Sequence, residues 1–257
     1  MSFLFHVFVY QPIYNLLIFV YNIIPDFGVA IIFSTIVVKF FLIPLSKKQI
    51  ESQKKMQELQ PKIKEIQIKY KKDKEKQSRA MMELYKESKT NPFSGCLPMI
   101  VQLIFLIAIY RVLFNISTAG LVVNQSDLYS FVANPGQINK MFLSLVDLAA
   151  AIDFSNITIQ SMPHIILVVL AAAAQFIQTK MLMNKSPIKT NKNEEPDFSE
   201  IMTKQMLFLG PLLTLFIGIK FPAGLALYWL VSTLFMVIQQ VYMEVRAKKT
   251  DSLKVNS

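Results

Sequence analysis

Lys39 is the one charged residue in the apolar run Gly28 to Leu45, and its ammonium is the chemistry that the chain has to accommodate. An ammonium within a membrane span costs about 2.5 to 3.5 kcal/mol at the helix centre, so it normally faces a water-filled cavity or a partner. The plainer alternative is that Lys39 snorkels toward the headgroups, since Lys47 follows only about two helical turns later. Neutral polar residues recur at helical spacing elsewhere. Thr35 precedes Lys39 by one turn on the same face, Gln175 and Gln178 are neighbours in a later apolar run, and Tyr228, Ser232 and Gln239 form a stripe in the last one. Such faces turn toward one another or toward water. Ordinary interhelical hydrogen bonding would explain the amides and hydroxyls, but only a hydrated groove also houses Lys39. Trp229 lies about one turn past a loop, where a belt tryptophan would sit in any case.

Little else could carry chemistry. His6 and His164 are far apart and give no metal-ligand spacing, so no metal is expected. Cys96, the single cysteine, has no histidine base nearby in sequence and reads as a small packed residue rather than a nucleophile. No GxxxxGK[ST] loop occurs, which excludes nucleotide hydrolysis by that route. No catalytic residue and no cofactor is expected. What remains is non-covalent handling of an anionic group by a protein that is not an enzyme.

The elements that must position these residues are membrane spans. The composition is 53% hydrophobic, above the roughly 45 to 50% of soluble domains, and the excess falls in long blocks. The net charge of +10 sits between those blocks, as in cytoplasmic loops, and argues against specific nucleic-acid binding. Residues 1–26 carry Gln11, Asn15 and Asn22 at helical spacing and lack a cleavage site; an outer-side interfacial amphipathic segment is expected, with a sixth span as the alternative. The first span covers 27–45 and ends at Pro44, which frees the Phe40 carbonyl.

Residues 46–92 hold about half of the chain's basic residues, which places them in the cytoplasm. Met56, Leu59, Ile63, Ile66 and Tyr70, then Met81, Leu84 and Tyr85, trace one narrow apolar seam, predicting a helical hairpin. Spans follow at 97–114, 163–183, 204–220 and 223–245, separated by a lysine-poor outer loop (115–162) and a cytoplasmic loop (184–203), with a basic cytoplasmic tail at 246–257. Lys204 and Lys220 bracket only fifteen residues, about 22 Å, so the fourth span is short for a core of about 30 Å. The fold expected is all-α, a polytopic bundle of five core transmembrane helices with a cytoplasmic hairpin, amino terminus outside and carboxyl terminus inside.

Four stretches carry a resemblance. GVAIIFSTIVVKFFLIPL (28–45), MQELQPKIKEIQIKYKKDKEK (56–76), NPFSGCLPMIVQLIF (91–105) and FPAGLALYWLVSTLFMVIQQ (221–240) resemble, in order, the YidC/Oxa/Alb membrane-protein insertases. The resemblance implies a five-span core with a groove open to cytosol and lipid, in a bacterial inner membrane. It also implies one basic groove residue on the first core span, usually arginine. Lys39 stands there, keeping the charge but losing the fork of donors. Gln178 and Trp229 match groove-lining positions, and the chain looks like a compact bacterial form. The implied function is insertion of nascent membrane proteins without nucleotide hydrolysis, with the ribosome, the general translocon and the lipid bilayer as partners. The rival class is a small-solute transporter using Lys39 as an anion site; the five unequal spans show none of the repeated halves common in that class. A purely structural scaffold would leave Lys39 unexplained.

Overall fold

The computed structural model describes residues 3–91, 97–153, 157–183 and 198–255; Cys96, Asn156 and the charged linker after Met183 lie outside them. The chain is helical almost throughout. A short α1 (Phe3–Phe5) runs through a π-helical turn (His6–Tyr10) into α2 (Gln11–Ile23), followed by α3 (Phe27–Phe41), α4 (Ile43–Lys69), α5 (Lys74–Glu87), α6 (Leu97–Thr118), α7 (Met162–Met183), α8 (Phe198–Lys220) and α9 (Ala223–Val255). Among the described residues four helical stretches are long and apolar enough to cross a membrane, Phe3–Ile23, Ile100–Thr118, Ile159–Met181 and Ala223–Arg246, so the amino-terminal segment has the length of a span as well; a fifth arises if α3 and α4, bent by 65°, are taken together. The five core spans expected from sequence correspond to α3, α6, α7, α8 and α9. In α8 the apolar part is only Leu207–Lys220.

Local chemistry sets the breaks. Asp26 caps α3, its Oδ1 accepting from the Val29 amide at 3.0 Å. The helix stops at Phe41, earlier than the Leu45 expected, and Leu42 makes the bend; Pro44 then falls in the first turn of α4, where a missing amide proton costs nothing. The bend therefore sends Ile43 to Leu45 into the hairpin instead of the span. Asp73 caps α5 through the Lys76 amide at 3.0 Å, and that backbone hydrogen bond, with the Lys76 side chain, holds its carboxyl below the usual range.

Packing divides into two unequal cores. The hairpin has a small cluster of its own, in which Leu59, Ile63 and Leu84 are buried with Ile66, Met81 and Tyr85 against them. The seam read from sequence is there, and it is as narrow as its spacing implies. The main core joins α2, α3, α6, α7 and α9. Glycines allow two close approaches: a Cβ on Gly218 would lie 2.8 Å from Val168 Cγ1, and one on Gly28 would run into the Phe142 ring.

The outer loop is not a slack connection. Val123, Val132, Ile138, Val146 and Leu148 enter the main core, and Met141–Phe142 pairs with Val146–Asp147 as a minimal antiparallel ribbon, the one departure from an all-α chain among the described residues. The loop also satisfies the amino end of α9: the Ala223 and Gly224 amides donate to the Ala150 and Leu148 carbonyls at 2.9 and 3.0 Å.

The same loop takes up the polar stripe of α2. Asn15 Nδ2 donates to the Asp127 carbonyl at 2.8 Å while its Oδ1 accepts from the Tyr129 amide at 2.6 Å. Asn22 Nδ2 donates to the Ala133 carbonyl at 2.7 Å. Tyr14 and Tyr21 hydroxyls accept from the Asn124 and Asn139 amides, both at 2.8 Å. Leu4, Phe8, Phe19 and Ile23 of this helical stretch are exposed.

Candidate functional site

Lys39 lies in the last turn of α3 and is only 8% exposed. Its Nζ donates to Gln102 Oε1 of α6 at 3.0 Å and makes a weaker contact with Met236 Sδ of α9 at 3.6 Å. The side chain thus points into the bundle, away from lipid and headgroups, where snorkelling would have sent it. Among the described residues no carboxylate comes within 4.0 Å of it. A buried ammonium with an amide and a thioether as its neighbours is incompletely compensated.

Around it α9 supplies a ladder at i, i+4 spacing. Tyr228 and Ser232 are 3% and 0% exposed, and Met236 stands one turn further on. Ser232 Oγ donates to the same Gln102 Oε1 at 3.0 Å. Gln178 of α7, 6% exposed, donates through Nε2 to Met236 Sδ at 3.6 Å, so the thioether receives both Lys39 and Gln178. A second cluster lies nearer the amino end of α9: Trp229 Nε1 and Thr233 Oγ1 both reach Gln175 Oε1, at 3.2 and 3.4 Å. Trp229 is therefore engaged inside the bundle and is not a free belt residue. Gln239, the last member of the α9 stripe, reaches the Ile43 carbonyl at 3.4 Å, beside the bend after α3.

Of the residues singled out from sequence, Lys39, Ser232 and Gln178 come together, and Trp229 and Gln175 form the adjoining pair. Thr35 is buried on α3, but its hydroxyl donates to the Ile31 carbonyl at 2.6 Å, a bond within its own helix. Sequence reasoning left Gln102, Thr233 and Met236 out of the site. Gln102 could have been found as the one amide within the apolar part of the second span; Met236 has no signal, because a thioether in a span reads as packing. The polar faces meet as a hydrogen-bonded cluster. A cavity of about 560 Å³ lies elsewhere, where the first helices and the carboxyl end of α6 meet the loop that follows, lined by Tyr10, Tyr14, Asn115, Asn124 and Gln125 among others.

Helices of spanning length packed around a buried lysine define a polytopic membrane protein. The family model described as 60Kd inner membrane protein matches residues 19–250. The chain belongs to this family, the YidC/Oxa/Alb group that its motifs resemble, and is a multi-pass inner-membrane protein. It is 34% identical over 249 residues to the membrane protein insertase YidC of Actinobacillus pleuropneumoniae serotype 3 (strain JL03), covering 96% of this chain and 39% of that protein. Against the membrane protein insertase YidC of Streptomyces avermitilis it is 34% identical over 220 residues, 84% of this chain and 50% of that one. The chain therefore spans half or less of the length of these relatives. A crystal structure of an active YidC insertase with its first transmembrane domain resolved shares the fold, with a TM-score of 0.56 and 24% identity over 91% of this chain and 46% of the other.

Proposed function

We propose that the chain is a membrane-protein insertase, in which Lys39 attracts the short acidic tail of a nascent membrane protein while the adjoining apolar segment passes into lipid. The observation that carries this reading is the buried ammonium of Lys39 with no carboxylate beside it. A counter-ion is what such a site lacks, and a substrate carboxylate supplies one. Gln178 and Ser232 line the site with Lys39, Trp229 and Gln175 continue it outward, and Thr35 supports the α3 face.

No nucleotide and no catalysed bond are needed. Burying the substrate's span is favourable by about 25 cal/mol per Å² of apolar surface. An acidic tail moving to a positive outside gains about 2.3 kcal/mol per charge per 100 mV. Nascent membrane proteins and the bilayer are the partners this mechanism requires; the basic hairpin suits the ribosome, and the general translocon is a further partner. The similarity to membrane protein insertases supports the assignment.

The experiment is reconstitution of the purified protein in liposomes with a single-span, acidic-tailed substrate, alongside uptake of a small anion. Insertion without anion uptake is expected. Anion uptake without insertion would transfer the protein to the transporter class.

The proposed orientation places the amino terminus outside, residues 1–26 in the outer interface, the hairpin in the cytosol and the carboxyl terminus inside. The hydrogen bonds along Asn15 to Asn22 support the interfacial position, since a polar loop along a helix flank belongs outside hydrocarbon. In a Cys96→Ser background, a cysteine at Ser126 should label with a membrane-impermeant reagent from outside sealed cells, and one at Ser78 only after lysis. Labelling of Ser78 in sealed cells would invert the topology.

A further inference from the structure

The amide of Gln102 has a fixed sense. An ammonium can only donate, so the atom of Gln102 that lies 3.0 Å from Lys39 Nζ must be the oxygen. Ser232 Oγ donates to that same oxygen at 3.0 Å, which fills both of its acceptor positions. The nitrogen, on the same amide carbon, is left with both protons; Gln102 Nε2 is buried and has no hydrogen-bond partner. Leaving a buried donor unmade costs about 1 to 3 kcal/mol, a cost that a bound acceptor would remove.

The site leaves donors of Lys39 and Gln102 unused beside the hydroxyls of Ser232 and Tyr228. Lys39 has three protons, of which one is taken by Gln102 and another only by the weak thioether acceptor of Met236. Gln178 Nε2 likewise has only that thioether. Ser232 and Lys39 together occupy the Gln102 oxygen, and the lone pairs left on the Ser232 and Tyr228 hydroxyls bring no charge to balance the ammonium. A ligand that brings two acceptor atoms and a negative charge matches the ammonium and the amide donor together; a neutral amide or an alcohol leaves the ammonium without a counter-charge.

We propose that Gln102 is a second anion donor, gripping one carboxylate of the translocating tail together with Lys39, one carboxylate oxygen on Nζ and the other on Gln102 Nε2. This rests on the insertase reading above and specifies what its site recognises: a planar, two-oxygen anion, preferred over a neutral amide of the same shape. Ser232 is a positioning residue in this arrangement, since its hydroxyl holds the amide oxygen toward Lys39 and the nitrogen away.

The test uses the full chain in liposomes and two single-span substrates whose tails differ by one residue, aspartate or asparagine. Gln102→Leu is expected to lower the ratio of aspartate-tail to asparagine-tail insertion by about tenfold, the scale of one hydrogen bond to a charged group. Ser232→Ala should move the ratio the same way by less. Gln102→Glu, which keeps an oxygen on Lys39 but turns the free donor into an acceptor, should abolish the preference. A merely structural role is separated by the double variant: Lys39→Arg carries its own fork of donors, so Lys39→Arg with Gln102→Leu should return to within about twofold of Lys39→Arg alone.

Equal loss of both tails in Gln102→Leu, or no rescue by arginine, overturns the proposal. If Lys39→Ala lowers the ratio while Gln102→Leu does not, Gln102 fails and the insertase reading stands. If the parent inserts neither tail, that reading fails and takes this one with it.

Discussion

Lys39→Glu is expected to abolish insertion of a span with an acidic tail, Lys39→Arg to preserve it, and Lys39→Ala to fall between them. Two unit charges about 4 Å apart interact by about 4 kcal/mol at an effective dielectric constant near 20. Reversing the sign at position 39 turns that attraction into repulsion, so the loss on an acidic tail should exceed about a hundredfold. The glutamate would also have the Gln102 oxygen, at present 3.0 Å from Nζ, facing it as another acceptor. A neutral tail should lose far less, since it draws nothing from the charge. Insertion of one substrate with its tail acidic or neutral, followed across the three variants by protease protection, provides the measurement. Equal activity of Lys39→Glu and the parent on the acidic tail would remove electrostatic attraction from the mechanism. Unchanged or improved insertion by Lys39→Ala would point the same way, because deleting a cation of no use relieves a membrane cost.

Replacing residues 52–88 by a short Gly/Ser linker should abolish insertion of ribosome-delivered substrates while leaving the bundle folded. The hairpin's buried residues, Leu59, Ile63 and Leu84, form a cluster of their own, apart from the core that joins α2, α3, α6, α7 and α9. Removing a separate cluster leaves the larger one intact, and Gln49 and Ile50, which are buried at the hairpin's base, are retained. So small a core gives the hairpin little stability of its own and makes it the most easily opened part of the structure, suited to meeting a partner. Its lysines are screened within about 10 Å at 0.1 M salt, so recruitment by them should weaken as salt rises. Thermal unfolding in detergent close to that of the parent, together with lost insertion, is the expected pair of results. Undiminished insertion would refute the recruiting role.

Much of this architecture is legible in the order of residues. Spans are set by apolar length against bilayer thickness, a one-dimensional property, so α6, α7 and α9 lie close to where hydropathy puts them. The hairpin seam is legible because Leu59, Ile63 and Ile66 on α4, and Met81, Leu84 and Tyr85 on α5, follow helical spacing within their own helices, and Lys39 is conspicuous because charge is rare in hydrocarbon. Helix ends depend on finer matters: α3 stops at Phe41 because Leu42 turns and Pro44 prefers a first helical turn, and the apolar count cannot see this.

Tertiary structure decides which polar faces meet. Sequence places Thr35, Lys39, Gln175, Gln178, Trp229 and Ser232 on helix faces, but the rotation and crossing of helices, fixed by contacts such as Gly218 on Val168, determine that Lys39 meets Gln102, Ser232 and Met236 while Thr35 bonds within its own helix. The outer loop is the larger surprise. Its tie to Asn15, Asn22 and the tyrosines of α2 spans more than a hundred residues of sequence. A hydrogen bond between residues so far apart leaves no periodicity to read, because periodicity records only neighbours along one helix or strand.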